Sequence, residues 1–452
     1  MARNPMILSA FFFNPQGDHR MSWRHARAPS HEVFEFDYYR DLALTAEHAK
    51  IDTLFVADHV AIWDSVASGV AHYANARLEP LTLLSALAAT TRHIGLIGTA
   101  SSSYSEPYNI ARIFASLDHI SGGRAAWNVV TSAMDEEALN FGRDGNIEHG
   151  HRYGRAGEFL DAVTALWDSW EDEAVLIDKE TGIFADDTRV HRIDHHGPHF
   201  RVRGPLNVPR PPQGHPLIVQ AGSSEAGKDL AADYADVQFA IVRTPEDGLR
   251  YRADMDTRLA KRGRTPDSFK ILGGVLPVVA ASRAEAQERQ EFLGTLLPDR
   301  VAIDLLSSWA GIDLSAHDAD GPLPALPNEA TFNGGRTSLN RVKDWVGQNL
   351  SIRQIARKLA NTGAMPTVGG TPADVADQLE ALFTAGAVDG YNLMFPLLPE
   401  DWTNFAHQVV PELQRRNLVR SDYPPGTLRD RLGLQRPPNR FAAARAAQRA
   451  AS

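Results

Sequence analysis

Short apolar runs alternate with amphipathic segments of helical length along most of the 452-residue chain. The apolar runs have strand length and lie at 7–13, 53–57, 94–98, 125–130, 217–220, 237–242, 271–280 and 390–395. Segments with helical spacing follow them at 37–50, 81–91, from Pro107 onward, and at 152–170, 224–234, 246–262 and 371–385. Such alternation is typical of βαβ units in a parallel sheet. Because about eight strands are counted, the pattern predicts an α/β fold, a TIM (β/α)8 barrel rather than a six-stranded open sheet.

Two stretches interrupt this alternation and are predicted to be insertions in the barrel. Residues 171–215 are rich in Asp, His, Gly and Pro, which indicates an excursion on the barrel rim. Residues 283–362 are too long for one crossover helix and contain a turn-rich run at 317–328, so we expect extra helices and a loop that acts as a lid. The prediction is therefore one domain over 1–440, followed by a flexible Ala- and Arg-rich tail at 441–452.

The composition limits the classes of function. The net charge is −10, with acidic and basic residues interspersed, which disfavours nucleic acid and anionic membranes as partners. A chain without cysteine has no disulfides, thiolate metal ligands or cysteine nucleophiles. The apolar stretch 7–13 is too short for a signal-peptide core with its cleavage site or for a membrane span, so we expect a cytoplasmic protein with a small-molecule substrate.

Polar residues stand at the ends of several predicted strands, where α/β barrels keep their chemistry. They are Asp58, Thr99, Asn128 and Thr131. The first strand ends instead in Phe11, Phe12 and Phe13, which predicts an apolar wall. This combination suits a flat phosphorylated cofactor better than a metal ion, which needs convergent His and carboxylate ligands. A metal-dependent barrel hydrolase is the alternative, and we expect no metal site.

The segment Gly222–Asp229 nearly spells the phosphate loop of an NTPase, since it follows a predicted strand and opens a helix. That motif requires Ser or Thr after its lysine to ligate magnesium, and Asp229 occupies this position. A turn of small residues at a helix N-terminus can still offer N–H groups to the phosphate of a cofactor. The alternative is a simple helix N-cap by Ser223 or Ser224.

A second cluster is the segment His149–Arg155. Here His149 and Tyr153 stand four residues apart at a predicted helix start, so both project from one face. They are candidate ligand-binding residues, and the alternative is that they are ordinary polar residues at the surface or pack in the core. His195, His196 and His199 do not predict a metal site, because neighbouring strand residues point to opposite faces.

Eight segments carry a resemblance to a known family: 19–24, 114–119, 127–132, 149–153, 203–210, 220–224, 387–392 and 427–430. They resemble the luciferase-like flavin monooxygenases, in the branch with the large components of nitrilotriacetate, EDTA and dibenzothiophene-sulfone monooxygenases. Each segment is weak alone, but together they cover nearly the whole chain in the family's order.

The resemblance implies a TIM-type barrel that binds reduced FMN, delivered by a separate NAD(P)H:flavin oxidoreductase. The FMN contacts carried over are Asp58, Thr99, Asn128, His149, Tyr153, Ser223 and Ser224, with the two serines at the phosphate. Reaction with O2 is implied to give a C4a-peroxyflavin, which must be enclosed because water destroys it. The insertion at 283–362 is the candidate lid.

The resemblance also suggests where the chemistry occurs. His19 follows the first strand and is the candidate catalytic residue, stabilising the peroxide or moving a proton; the alternative is an exposed loop histidine. Trp23, Arg24 and Arg77 are weaker candidates for the substrate mouth. We expect a homodimer or homotetramer, because relatives of this kind commonly pair through barrel helices.

The choice of substrate rests on two segments. Residues 203–210 and 320–324 are closer to the aminopolycarboxylate enzymes, which favours C–N bond cleavage of an amine. The alternative is a sulfone or sulfide monooxygenase that cleaves a C–S bond. A deazaflavin-dependent reductase and a non-enzymatic flavin carrier are further rivals, which O2 consumption and peroxide release would distinguish.

Overall fold

A closed barrel of eight parallel strands forms the centre of the protein. The computed structural model describes residues 4–62, 69–328, 336–346, 348–362 and 365–451. The barrel strands, named β1 to β8 in chain order, are Ile7–Phe12, Thr53–Val56, Gly95–Ser101, Ala125–Val130, Leu217–Gln220, Val237–Ala240, Lys270–Val279 and Gly390–Met394. Each strand pairs with the next, and β8 returns to β1 with Ser9 opposite Asn392, which closes the ring. The predicted TIM barrel is therefore confirmed.

Helices surround the barrel; those before β8 connect consecutive strands, and those from residue 400 onward follow β8. They are Phe36–His48, Gly69–His72, Pro80–Thr90, Pro107–Ser121, Asp135–Asn140, His149–Trp167, Glu225–Tyr234, Pro245–Ala260, Pro372–Thr384, Glu400–Asn404 and Val410–Arg415, with a π-helical segment at Phe405–Val409. Several begin where the sequence predicted, because Pro occupies the first turn and needs no N–H partner there. Thr371 caps its helix reciprocally with Asp374, as its position before Pro372 predicted.

Strand side chains alternate between two cores. Leu8, Leu54 and Trp127 point outward into the large core between strands and helices. Ile7, Phe55 and other inward residues fill the barrel interior. Three leucines from the C-terminal segment, Leu428, Leu432 and Leu434, join this inner cluster. The backbone N–H of Leu428 donates to the carbonyl of Gly123 in the turn before β4. The three leucines therefore close the barrel at its amino-terminal end.

The two insertions lie at opposite ends of the barrel. Residues 171–215 connect a helix to the start of β5, so they sit at the amino-terminal end, as two small hairpins, Val175–Asp178 with Ile183–Ala185 and His195–His196 with Arg201–Val202. The second insertion follows β7 and therefore sits at the carboxyl end, where the polar strand tips lie. It contains helices Arg283–Thr295, Asp299–Ala310, Arg336–Val346 and Ile352–Thr362, and then the strand Thr367–Gly370, which extends beside the end of β7.

The C-terminal segment was predicted to be a flexible tail, and the structure has a helix at Arg440–Ala451. Its first turn is anchored, since the Phe441 ring stacks on His191 with centroids 4.4 Å apart. Arg440 pairs with buried Asp168 at 3.2 Å. The domain limits 1–440 and 441–452 stay predictions.

Candidate functional site

Two predicted polar residues, on β3 and β4, meet inside the mouth of the barrel. Asn128 lies between the outward-facing Trp127 and Val129, so its amide points inward. Its Nδ2 donates to Thr99 Oγ1 at 3.0 Å, and the Thr99 hydroxyl donates to the Val56 carbonyl at 3.0 Å. Asn128 Oδ1 is buried and has no hydrogen-bond partner among the described residues. This buried oxygen can accept a hydrogen bond from a water molecule or a bound ligand.

A braced turn follows β5. The buried side chain of Gln220 accepts the Gly222 N–H at 2.6 Å, and Gln238 donates its amide to the Gly222 carbonyl at 2.8 Å. Gln238 also reaches Gln220 at 3.3 Å, so two glutamines hold the turn from beneath. Sequence reasoning missed both residues, because a glutamine inside a strand matches no binding motif.

The braced turn leads into helix Glu225–Tyr234, whose N-cap is Ser224. The Ser224 hydroxyl accepts the Gly227 N–H at 3.2 Å. A methyl group at Gly222 would lie 3.0 Å from the Tyr153 hydroxyl, which places Tyr153 beside this turn. The structure therefore brings Tyr153, Ser223 and Ser224 together at one helix N-terminus, which favours anion binding. His149 begins its own helix as predicted, but its side chain lies outside the described residues.

The structure, like the sequence, lacks the magnesium-binding hydroxyl that an NTPase phosphate loop requires. Asp229, at the position where a magnesium ligand would stand, pairs with Arg258 at 2.8 Å and Arg262 at 3.2 Å on the helix surface. Its carboxylate is therefore part of a surface ion-pair network. The turn leads into a capped helix N-terminus, which suits an anion, but it lacks the magnesium ligand of an NTPase.

We expect Gly227→Ala to weaken binding of a phosphate-bearing ligand at this turn. The new methyl group would lie 2.8 to 2.9 Å from the backbone of Gly222, which must then shift. Overpacking of this kind costs about 1 to 3 kcal/mol, so the melting temperature should also fall. Calorimetry and equilibrium titration measure both effects. Gly154→Ala is the control, because nothing lies within 4 Å of its added methyl group; equal behaviour of the two variants would contradict the close-packed turn.

A cavity of about 380 Å³ opens at the carboxyl end of the barrel. Its wall combines the loops after β1, β2 and β4 with helix Asp299–Ala310 of the insertion, and includes Phe13, His19, Arg20, His59, Arg77 and Trp309. Met21 and Tyr73 pack into the apolar cluster of the insertion helices, so those helices cover the cavity from above. The predicted apolar wall is present in part, since Phe13 lines the cavity while Phe11 turns into the barrel and stacks near Phe239.

His19 is a buried, neutral residue of this wall, with 2% of its surface exposed. Its Nδ1 accepts the Met21 N–H at 3.2 Å, so the ring proton resides on Nε2. The Nε2 atom lies 3.4 Å from Asn361 Oδ1. Burial lowers the pKa of His19 to about 4, and it lowers the pKa of His59 to the same value. Both imidazoles are therefore uncharged near neutral pH, and His19 can donate a hydrogen bond.

The positive charges of the wall belong to two arginines. The Arg77 guanidinium lies over the Phe13 ring at 4.1 Å, and Arg20 lies 6.0 Å from the centre of the Tyr73 ring. Burial lowers the pKa of both guanidinium groups from its ordinary value, but arginine stays protonated in proteins. Burial also raises the pKa of Asp58 to about 6, against the opposing effect of Arg77. Asp58 thus lies close to the cavity cations.

Trp23 and Arg24 lie outside the cavity wall. The Trp23 indole donates to the His72 carbonyl at 3.0 Å, and Arg24 donates to the Leu296 carbonyl. Both contacts fasten the loop after β1 to neighbouring elements. Sequence reasoning missed Arg20, although its position directly after His19 placed it in the same loop.

Comparison with known proteins identifies the family. Residues 16–389 match the model of the luciferase-like monooxygenases.

The chain belongs to the luciferase-like monooxygenase family.

It is 45% identical to component A of nitrilotriacetate monooxygenase from Aminobacter aminovorans, over 98% of this chain and 99% of that protein. It is 40% identical to dibenzothiophene-sulfone monooxygenase from Rhodococcus erythropolis, over 96% and 97% of the two chains. The solved structure of EDTA monooxygenase from Chelativorans sp. BNC1 superimposes with a TM-score of 0.80 at 33% identity, covering 96% of this chain and 99% of that one. The family and branch predicted from the sequence are confirmed.

As a luciferase-like monooxygenase, the chain is a flavin-dependent oxidoreductase, and enzymes of this family use reduced flavin with O2. Within the described residues, no group of three His, Asp or Glu side chains is arranged to hold a metal ion. None of the described helices has both the length and the apolar character needed to cross a membrane.

Proposed function

We propose that this luciferase-like monooxygenase uses reduced FMN, supplied by a separate NAD(P)H:flavin oxidoreductase, to oxygenate a small carboxylated amine with cleavage of a C–N bond. The observation that carries the proposal is the braced Gly222 turn, which follows β5 at the end of the barrel where the loops after β1, β2 and β4 enclose the cavity, and which stands on the strand neighbouring Asn128. Asn128 of β4 pairs with Val219 of β5, so Asn128 and the braced turn after β5 belong to neighbouring strands.

The residues present fit FMN. Ser223, Ser224 and Tyr153 would hold its phosphate at the helix N-terminus. Asn128 Oδ1, buried and without a described partner, would accept a hydrogen bond from the flavin ring, with Thr99 fixing the amide. Asp58 and His149 are the remaining proposed contacts. When bound, reduced FMN supplies the electron pair that lets one atom of O2 enter a C–H bond while the other leaves as water.

The protein's own residues would exclude water and position a hydrogen-bond donor, the Nε2–H group of His19. Trp309 and Ser308 belong to the insertion and form part of the cavity wall, which supports the lid proposed for 283–362. His19 is neutral and carries its proton on Nε2, so it can donate a hydrogen bond to a reacting oxygen while the ring keeps its proton.

The charges of the cavity support a carboxylated amine. Arg20 and Arg77 are suited to bind carboxylates, and Asp135 and Glu136 also line the cavity, where they can face a protonated nitrogen. Hydroxylation of the carbon beside that nitrogen gives a hemiaminal. Its C–N bond breaks as the hydroxyl proton leaves, which releases an aldehyde acid and a smaller amine. The similarity to nitrilotriacetate monooxygenase component A supports this chemistry.

The name component A, given to the relative from Aminobacter aminovorans, implies a second component, which supports a partner reductase.

C–S cleavage of a sulfone is the second candidate function, favoured by the similarity to dibenzothiophene-sulfone monooxygenase. A neutral sulfone, however, makes no use of two cavity arginines. Assembly as a homodimer or homotetramer stays a prediction.

Product analysis tests the proposed function. The chain is incubated with reduced FMN, O2 and a panel of aminopolycarboxylates, simple amines, sulfones and sulfides. We expect at least one carboxylated amine to suppress hydrogen peroxide release and to yield an aldehyde acid with a dealkylated amine. Oxygenation of sulfones alone would replace the proposal by C–S cleavage. Peroxide release with every compound would reject both candidates.

A further inference from the structure

His19 separates two cavities. One is the cavity of about 380 Å³ described above, and the other, of about 190 Å³, lies between β7 and the insertion helices. His19 lines both, and Asn361 lines the second. Asn361 stands on helix Ile352–Thr362, so this helix of the insertion reaches the candidate catalytic histidine at the second cavity.

The His19 ring is held at both nitrogens. The Met21 N–H fixes Nδ1 as an acceptor at 3.2 Å, and Nε2 therefore directs its hydrogen toward Asn361 Oδ1 at 3.4 Å. The first contact comes from the same loop as His19, but the second spans 342 residues of sequence. Only the second contact depends on where the insertion docks.

The Asn361 amide is itself fixed by close packing. A methyl group at Gly294, on the neighbouring insertion helix Arg283–Thr295, would lie 2.8 Å from Asn361 Nδ2 and 3.0 Å from its Oδ1. Because glycine has no side chain, position 294 leaves room for the Asn361 amide. Two insertion helices together determine where the acceptor for His19 lies.

We propose that Asn361 is a positioning residue that orients His19 and holds its Nε2–H group in a hydrogen bond until an oxygen atom in the main cavity competes for that hydrogen bond. The inference rests on the proposed function, in which His19 donates that hydrogen bond. It ties the orientation of His19 to the docked insertion, since undocking the helix removes the acceptor. Other titratable or charged groups near His19 are Asp18 and Arg20 in its own loop, and Lys358 and Glu291 of the insertion, which line the same small cavity; burial raises the pKa of Asp18 to about 8.

The test is an NMR titration of His19 in protein with isotope-labelled histidine, assigned by the signal that a His19→Gln variant lacks. An Asn361→Asp carboxylate would stabilise the protonated ring, so we expect the His19 titration to move upward by about one unit or more. Asn361→Leu offers no acceptor and should not move it upward. Thr367→Val is the control, because Thr367 lines the same small cavity and makes no described hydrogen bond with His19.

Activity gives a second readout. We expect Asn361→Leu to lower kcat about 10-fold with little change in KM, because a misoriented imidazole donates a weaker hydrogen bond to the reacting oxygen, and the loss of one such donor costs about 10²- to 10³-fold. Asn361→Asp should shift the pH profile in parallel with the NMR titration. Gly294→Ala, which displaces the amide while Asn361 stays, should lower kcat in the same way.

An unchanged His19 titration in folded Asn361→Asp protein would overturn the proposal. So would equal kcat losses in Asn361→Leu and Thr367→Val, because they would indicate a general packing effect. The NMR titration needs neither flavin nor substrate, so it is independent of the product analysis that tests the proposed function.

Discussion

The Ser224→Asp substitution is expected to raise the dissociation constant for reduced FMN at least about 30-fold. The new carboxylate would face the flavin phosphate at the N-terminus of helix Glu225–Tyr234, and repulsion between charges this close costs about 2 kcal/mol or more near a protein surface. Folding should be spared, because Asp is as good an N-cap as Ser and suits the positive end of the helix dipole. Anaerobic fluorescence titration measures the effect.

The matched control for this prediction is Ser224→Asn. Asparagine also caps a helix but carries no charge, so flavin affinity should stay within a few-fold of wild type. Equal affinities of wild type and Ser224→Asp would show that the phosphate binds elsewhere. Equal losses in both variants would indicate that the hydroxyl itself matters and that charge does not.

The second large effect is expected for Arg77→Gln, which should raise KM for a carboxylated amine about 10- to 100-fold. A hydrogen bond to a charged group contributes about 1.5 to 3 kcal/mol, and the glutamine amide lacks the charge. Arg77→Lys should give a smaller loss, because it keeps the charge but loses the planar contact with Phe13. Steady-state kinetics with saturating reduced FMN measures KM, and titration should show unchanged flavin binding.

Arg112→Gln is the control for Arg77, since Arg112 is exposed on the helix that follows β3. It should leave KM unchanged. An unaltered KM in Arg77→Gln would remove the carboxylate role of the cavity arginine. A rise in KM that is equal for carboxylated and neutral substrates would indicate altered cavity shape instead.

The fold was predictable because its signals are local. Short continuous apolar runs identified the strands and helical spacing identified the helices, and prolines with capping residues marked helix starts. Closure between β1 and β8 was inferred only from the strand count, since pairing across 380 residues leaves no mark in either strand. The sequence did not predict that the leucines at 428, 432 and 434 close the end of the barrel, because an apolar residue does not specify which segment it packs against.

The candidate site was predictable where a residue type acts within its own segment. Ser224 was recognisable as a helix cap, and Thr99 and Asn128 as polar residues near strand ends. Gln238 and Asn361 were not recognisable as site residues, because each makes its hydrogen bond with a residue outside its own segment, Gly222 and His19 respectively. Their roles arise only when the barrel and the insertion bring those segments together.

The most direct test of the account is an anaerobic titration of the purified chain with reduced FMN. We predict a saturable one-to-one complex that Ser224→Asp weakens and Ser224→Asn retains. The absence of any complex with the folded wild-type chain would contradict the assignment of the β2 to β5 rim as a flavin site.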